Sequence, residues 1–103
     1  MATYGKAREI TIKALRNLTP FARKGFGMSA VQGAVTHFGE LDDKHVKAYT
    51  WHAQVNDVMF TVLSYRTPIA WVLRNGTVVI PEDRYSRTTS NHQGMCRTYL
   101  AKS

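Results

Sequence analysis

A chain of 103 residues has room for one domain, 1–103, with a core that needs neither metal nor disulfide to hold it. Hydrophobic residues make up 44% of it and charged residues 20%, which excludes a disordered chain, while a formal charge of +7 points to an anionic partner. Apolar stretches such as Val58 to Leu63 are far shorter than the roughly 20 residues of a membrane helix, and residues 1 to 24 carry charges where a signal peptide has its apolar core. With Cys96 as the only cysteine, no internal disulfide can form. The expectation is a soluble, intracellular protein with no membrane association.

The charge is unevenly spread. Residues 1 to 24 hold six basic groups against Glu9, and residues 66 to 103 hold six against Glu82 and Asp83. Between them Glu40, Asp42, Asp43 and Asp57 outnumber Lys44 and Lys47. A pI near 9.9 suits nucleic acid, an anionic membrane surface or an acidic protein; the plain alternative is that the charge only keeps the protein in solution.

In chain order, Ile10, Ala14, Leu15 and Leu18 recur at helical spacing while Lys6, Arg8, Lys13 and Arg16 take other positions, which predicts an amphipathic helix over 6–18. Alternation of Ile10 and Ile12 with Thr11 and Lys13 leaves a strand as the competing reading. Thr19-Pro20 ends either element. Phe21 to Gly27, with Arg23 and Lys24, reads as a basic loop, followed by a short strand from Met28 to Gln32. The stretch from His37 to Asp43 reads as loop. Val46 to Val55 is open between helix and strand; its β-prone Val46, Tyr49, Thr50, Trp51 and Val55 favour a strand, with Asn56-Asp57 as a tight turn after it.

Val58 to Tyr65 is apolar on both faces, as a central strand is, and Arg66-Thr67-Pro68 breaks it before a second strand from Ile69 to Arg74. Asn75-Gly76 then predicts a type I′ hairpin in which Leu73 faces Val78 and Trp71 faces Ile80. That register puts Ile69, Trp71, Leu73, Val78 and Ile80 on one core face. Pro81 closes the strand, and a last helix runs from about Ser90 to Ala101, with Ser90 and Gln93 as a capping box and His92, Cys96, Tyr99 and Leu100 as its buried stripe.

The stretches Ser64-Tyr65-Arg66-Thr67-Pro68-Ile69-Ala70 and Tyr85-Ser86-Arg87-Thr88-Thr89-Ser90-Asn91-His92-Gln93 resemble signature segments of a family of small uncharacterised proteins of tailed bacteriophages, mainly those of actinobacteria. The resemblance covers about residues 58 to 93, with a weaker echo in Leu18 to Met28. It implies a phage origin and action in the host cytoplasm. It brings no activity with it, so the residues are read on their own chemistry.

Arg84 to His92 gathers arginines and hydroxyls beside the start of a helix, where free amides and the positive dipole end favour a phosphate; Ser86, Thr88, Thr89 and Ser90 are the candidate anion site. The bland reading makes them turn and cap residues. Ser86 or Ser90 with His92 lacks an orienting group and an oxyanion hole, and no Gly-x-Ser-x-Gly elbow is present. His92 and Cys96 lie one turn apart, but His37, His45 and His52 show no zinc-like spacing, so a buried histidine beside a buried thiol is the ordinary reading. Gly25 and Gly27 lack the order of a phosphate-binding loop. Trp51, Phe60, Tyr65 and Trp71 can stack bases only if exposed, and strand aromatics are more often core.

The sequence therefore predicts an α+β domain with an antiparallel sheet of four or five strands and an N-terminal and a C-terminal helix packed against it. The expected function is non-enzymatic: nucleic-acid binding, largely independent of sequence, through Lys6, Arg8, Lys13, Arg16, Arg23, Lys24, Arg84 and Arg87. No catalytic residue, metal or cofactor is expected. The alternative is a protein that binds and modulates an acidic host protein.

Overall fold

The two most apolar runs of the chain form the middle of the sheet. The computed structural model describes residues 3–23, 27–82 and 87–102, with side chains from residue 8 onward except Arg23. In it β3 (Val58–Ser64) and β4 (Thr67–Leu73) pair antiparallel, and every residue of the two strands except Met59 is buried. β1 (Phe21–Arg23) and β2 (Met28–Gln32) extend the sheet on one side and β5 (Val78–Val79) on the other, so the five strands follow in sequence order, each antiparallel to the last.

Helices α1 (Thr3–Asn17) and α3 (Arg87–Tyr99) cover one face, where Leu15, Cys96 and Leu100 pack with Met28, Ala30, Phe60, Val62, Ala70 and Val72. The N- and C-terminal helices and the antiparallel sheet are those the sequence predicts. The opposite face is covered by α2 (Asp43–Gln54), where Tyr49 and Leu41 pack with Val58, Trp71 and Leu73. This element decides for helix the stretch Val46 to Val55, which the sequence leaves open with a lean to strand. Val46, Tyr49 and Ala53 repeat at helical spacing and all face the second cluster, so the burial of one stripe outweighs the β-propensity of Val46 and Thr50. Asn56-Asp57 does turn the chain, but as the end of that helix: Asn56 takes φ 57°, Asp57 N donates to His52 O and Asn56 N to Ala53 O.

The single core face expected for β4 is divided between the two clusters. Trp71 and Leu73 face α2, whereas Ile69 and Ile80 pack with the α1/α3 cluster and Val78 is exposed at the sheet edge. Two offsets cause this. The β3–β4 register shifts between Val62 and Leu63, so Ile69 and Ala70 both reach the α1/α3 side, and Pro68 is tolerated inside a strand because it adjoins that bulge. The β4–β5 loop is Arg74-Asn75-Gly76 rather than Asn75-Gly76 alone. Leu73 N donates to Thr77 O, Gly76 N donates to Leu73 O, and only Gly76 has a positive φ, 91°, which moves the pairing to Trp71 with Val79 and Val72 with Val78.

Three further limits differ from expectation. Phe21 to Arg23, expected as the start of a basic loop, pairs with Met28 to Ala30 as β1. The break between the central strands falls at Tyr65-Arg66, so Thr67 and Pro68 already belong to β4. Helix α3 begins at Arg87, which puts Ser90 inside its first turn, so Ser90 and Gln93 do not form a capping box; Gln93 instead turns inward and donates to Ile69 O at 3.1 Å and Pro81 O at 2.8 Å. That amide satisfies the Ile69 carbonyl, on the part of β4 that β5 is too short to cover, and the Pro81 carbonyl beyond β5.

Candidate functional site

The β3–β4 turn brings the most unusual backbone of the site together with its buried polar groups. Ser64 pairs with Thr67, and Tyr65-Arg66 make the two-residue turn between them. Tyr65 takes φ 56° and Arg66 does not, the pattern of a II′ turn, whose first position normally takes glycine. A tyrosine there costs about 1–3 kcal/mol of backbone strain. It is held by Gly27: Tyr65 N donates to Gly27 O at 2.6 Å, and the ring lies so close that a Cβ at Gly27 would stand 2.6 Å from Tyr65 Cζ. The side chain is nonetheless 64% exposed.

Beneath the turn, Ser64 Oγ shares hydrogen bonds with Thr89 Oγ1 at 3.0 Å and His92 Nδ1 at 2.9 Å, and all three residues are buried. The Tyr65 and His92 rings stand 6.5 Å apart between centroids. The two stretches singled out in the sequence, around Ser64 and around Thr89, therefore meet in space. Ser64 with His92 is a serine–histidine pair that sequence spacing could not reveal, because 28 residues separate them. Its serine is 1% exposed and bonded to Thr89 as well, so the arrangement ties α3 to β3 and presents no open nucleophile.

The cations gather on the same side of the sheet. Arg8, Lys13 and Arg16 are exposed on α1, Arg87 and Arg97 on α3, and Lys102 just beyond it, with Glu9 as the sole acid among the described side chains of these two helices. The helices are tied at their C-terminal ends: Ala101 N donates to Leu15 O, and the Arg16 guanidinium lies 5.5 Å from the centre of the Tyr99 ring. Arg97 and Lys102 were absent from the expected set; their positions outside the buried stripe of the last helix were the signal. Of that set, Lys6 lies on α1 and Arg23 ends β1, but their side chains, like Lys24, Arg84 and Ser86 altogether, fall outside the described residues. At the start of α3, Thr88 and Ser90 point outward with Arg87 while Thr89 turns in to Ser64.

The α2 side has a different character. Tyr49 Oη accepts from Val35 N at 2.8 Å and bonds Thr61 Oγ1 at 2.8 Å, and Thr61 Oγ1 donates to Gly33 O, which fastens the β2–α2 loop to the sheet. Tyr49 also meets Trp71 edge to face at 4.8 Å. Burial raises the Tyr49 hydroxyl pKa, with the Thr61 and Val35 hydrogen bonds opposing. On the other face burial pushes the Cys96 thiol up to about 12, with the Arg97 charge opposing. Outside, Asp42 and Asp43 stand with Lys44 and Lys47, His52 Nδ1 pairs with Asp57 Oδ2 at 2.9 Å, and Trp51 and Val55 are exposed. Among the described residues no group of three or more His, Cys, Asp or Glu side chains is placed to hold a metal, and no helix is long and apolar enough to cross a membrane.

Fold and site define a small α+β protein with a five-stranded antiparallel meander and one cationic helical face. Residues 3–99 match the Family of unknown function (DUF8033), and the chain belongs to that family. No curated protein and no solved structure matches it.

Proposed function

We propose that the protein binds nucleic acid without catalysing a reaction, mainly through the phosphate backbone, across the outer surface of α1 and α3. The observation that carries this reading is the sorting of charge by the fold: Arg8, Lys13, Arg16, Arg87, Arg97 and Lys102 belong to the α1/α3 side, where the acids among the described residues are Glu9 and Glu82, the latter just past the Pro81 carbonyl that Gln93 bonds, while Glu40, Asp42, Asp43 and Asp57 belong to the α2 side and its flanking loops. Lysine and arginine displace condensed counterions from phosphates, and this needs neither a deep pocket nor base contacts. The first turn of α3, with Arg87, Thr88 and Ser90 exposed at its positive end, receives one phosphate. With the resemblance to tailed-phage proteins, the biological reading is a phage-encoded accessory protein acting in the host cytoplasm.

The test is a salt titration. The protein shifts mixed-sequence DNA or RNA at low salt, and the logarithm of the binding constant falls against the logarithm of salt concentration by about 0.7 to 0.9 per phosphate neutralised. Reversing Lys13, Arg16 and Arg97 to glutamate weakens binding to all sequences alike and flattens that slope. Absence of low-salt binding to every nucleic acid tested overturns the reading.

One observation favours a second reading. Trp51 on α2 is 59% exposed and Val55, which caps the helix one turn on, 54%, near Lys44 and Lys47, a combination suited to an acidic host protein. A single host protein that stays bound through nuclease treatment, with no nucleic-acid shift, supports it.

A further inference from the structure

We infer that Tyr65 is a stacking platform for one unpaired base, so that the ligand class is single-stranded rather than duplex nucleic acid. This rests on the nucleic-acid reading above and adds to it a site for the base. Phe60 and Trp71, by contrast, are buried and have no face to offer.

Three features of Tyr65 converge. It is 64% exposed, the most of any large hydrophobic residue among those described. It occupies a positive-φ turn position that glycine would fill without strain, so the backbone gains nothing from a tyrosine there. Its ring is nevertheless held in place: Gly27 lies against it with no side chain intervening, the main chain is fastened by Tyr65 N to Gly27 O, and the His92 ring stands beside it, itself fixed through Ser64. A ring immobilised before binding loses little further freedom on stacking, and every base offers a π-face regardless of sequence.

The charge around the ring selects the ligand. Arg66 follows Tyr65 in the same turn and is exposed, and Thr89, which bonds Ser64 directly below, lies in the same first turn of α3 as Arg87. A single strand laid across this turn has Arg66 in the turn itself and Arg87 at the start of the helix below, with Glu40 the acid tied to the same turn through Glu40 N to Thr67 Oγ1, whereas in a duplex the base faces are already stacked on each other and closed to the ring.

The experiment measures binding of the purified protein, at one low salt concentration, to a mixed-sequence single strand, to the same strand with abasic sites, and to the matching duplex. Tyr65→Phe and Tyr65→Gly are compared with wild type; glycine suits the turn, so the second variant folds. Wild type is expected to prefer the intact single strand to the duplex. Tyr65→Phe keeps that affinity, and Tyr65→Gly loses about tenfold on the intact strand but little on the abasic strand or the duplex. The salt slope stays unchanged in Tyr65→Gly, since no phosphate contact is removed. Equal loss on all three ligands, or none on any, overturns the stacking site while leaving the electrostatic reading in place; absence of wild-type binding to all three overturns both.

Discussion

The two faces of the sheet solve the same packing problem with different consequences. On the α2 side, Tyr49, Thr61, Gly33 and Val35 form a buried polar network that fastens a loop to the sheet, and the charges outside it are of both signs. On the α1/α3 side, Ser64, Thr89 and His92 fasten a helix to the same strand, β3, yet the network ends beside a strained, exposed tyrosine and under a surface of cations. A polar network of one kind serves anchoring; a similar one beneath the proposed stacking site would also hold that site still. The comparison is therefore testable by asking which changes touch stability alone and which touch binding.

The largest effect belongs to the anchoring side. Tyr49 is fully buried against Trp71 and Phe38, so Tyr49→Ala is expected to cost about 3–5 kcal/mol through the cavity, and Tyr49→Phe about 1–3 kcal/mol by stranding Val35 N. Chemical denaturation measures both. Binding of nucleic acid by the folded fraction should be unaltered by Tyr49→Phe, and a specific loss there would break the division between the faces.

On the other side, His92→Ala removes one of the two hydrogen-bond partners of Ser64 Oγ and leaves Thr89 as the other, with an expected loss of about 1–3 kcal/mol. It also removes the ring beside Tyr65, so single-strand affinity falls with stability while duplex affinity does not. Parallel denaturation and binding curves separate the two effects. A hydrolase or nuclease activity lost with His92 would overturn the non-enzymatic reading. As a control for both sides, Lys44 and Lys47 reversed to glutamate on α2 should leave nucleic-acid binding nearly unchanged, where the same reversal on α1 and α3 reduces it.

These contrasts also explain what the sequence could and could not tell. β2 was readable residue for residue, and both outer helices to within a few residues, because each rests on a local pattern of apolar spacing or a proline stop. Residues 46–55 stay open between helix and strand in the sequence, leaning to strand, because Val46, Thr50 and Val55 favour strands locally, while the stripe of Val46, Tyr49 and Ala53 has meaning only once a second sheet face exists to receive it. The bulge at Ile69 and the third loop residue Arg74 each shift a register by one, and no residue pattern announces a single-residue shift. At the site, exposed arginines could be named from the sequence. Ser64 with His92, and the exposure of Tyr65, depend on how α3 docks on a turn more than 20 residues earlier, which only the fold specifies.

A smaller effect tests the hairpin register. Gly76 has φ 91° with open space around its Cβ position, so Gly76→Ala meets backbone strain and no clash, and about 1 kcal/mol of stability is the expected loss. Asn75 has no positive φ, so Asn75→Ala loses only the exposed bond from Thr77 N to Asn75 Oδ1 and costs less than Gly76→Ala. Equal losses at both positions would favour a two-residue I′ turn instead.

The last contrast has no effect at pH 7 and emerges only in alkali, where each face carries one buried acid of raised pKa. The Cys96 thiol is pushed up to about 12 from 9.0 by burial, and the Tyr49 hydroxyl is raised by the same cause. In each case the unfolded chain releases its proton at lower pH than the folded one, so the folded state binds more protons and stability falls as pH rises. For Cys96 that decline begins near pH 9 and continues to about 12; for Tyr49 it begins near 10, the ordinary value of a phenol. Denaturation midpoints followed from pH 8 upward should therefore drop, with Cys96→Ala flattening the first part of the curve and Tyr49→Phe the later part. The same raised thiol predicts that Cys96 in the native protein resists alkylation at pH 8 and reacts on unfolding, since the thiolate is the nucleophile. Rapid native alkylation at pH 8 would mean that the α1/α3 face opens at Leu15, Cys96 and Leu100, and that the layer bearing the cations is the less firmly held of the two.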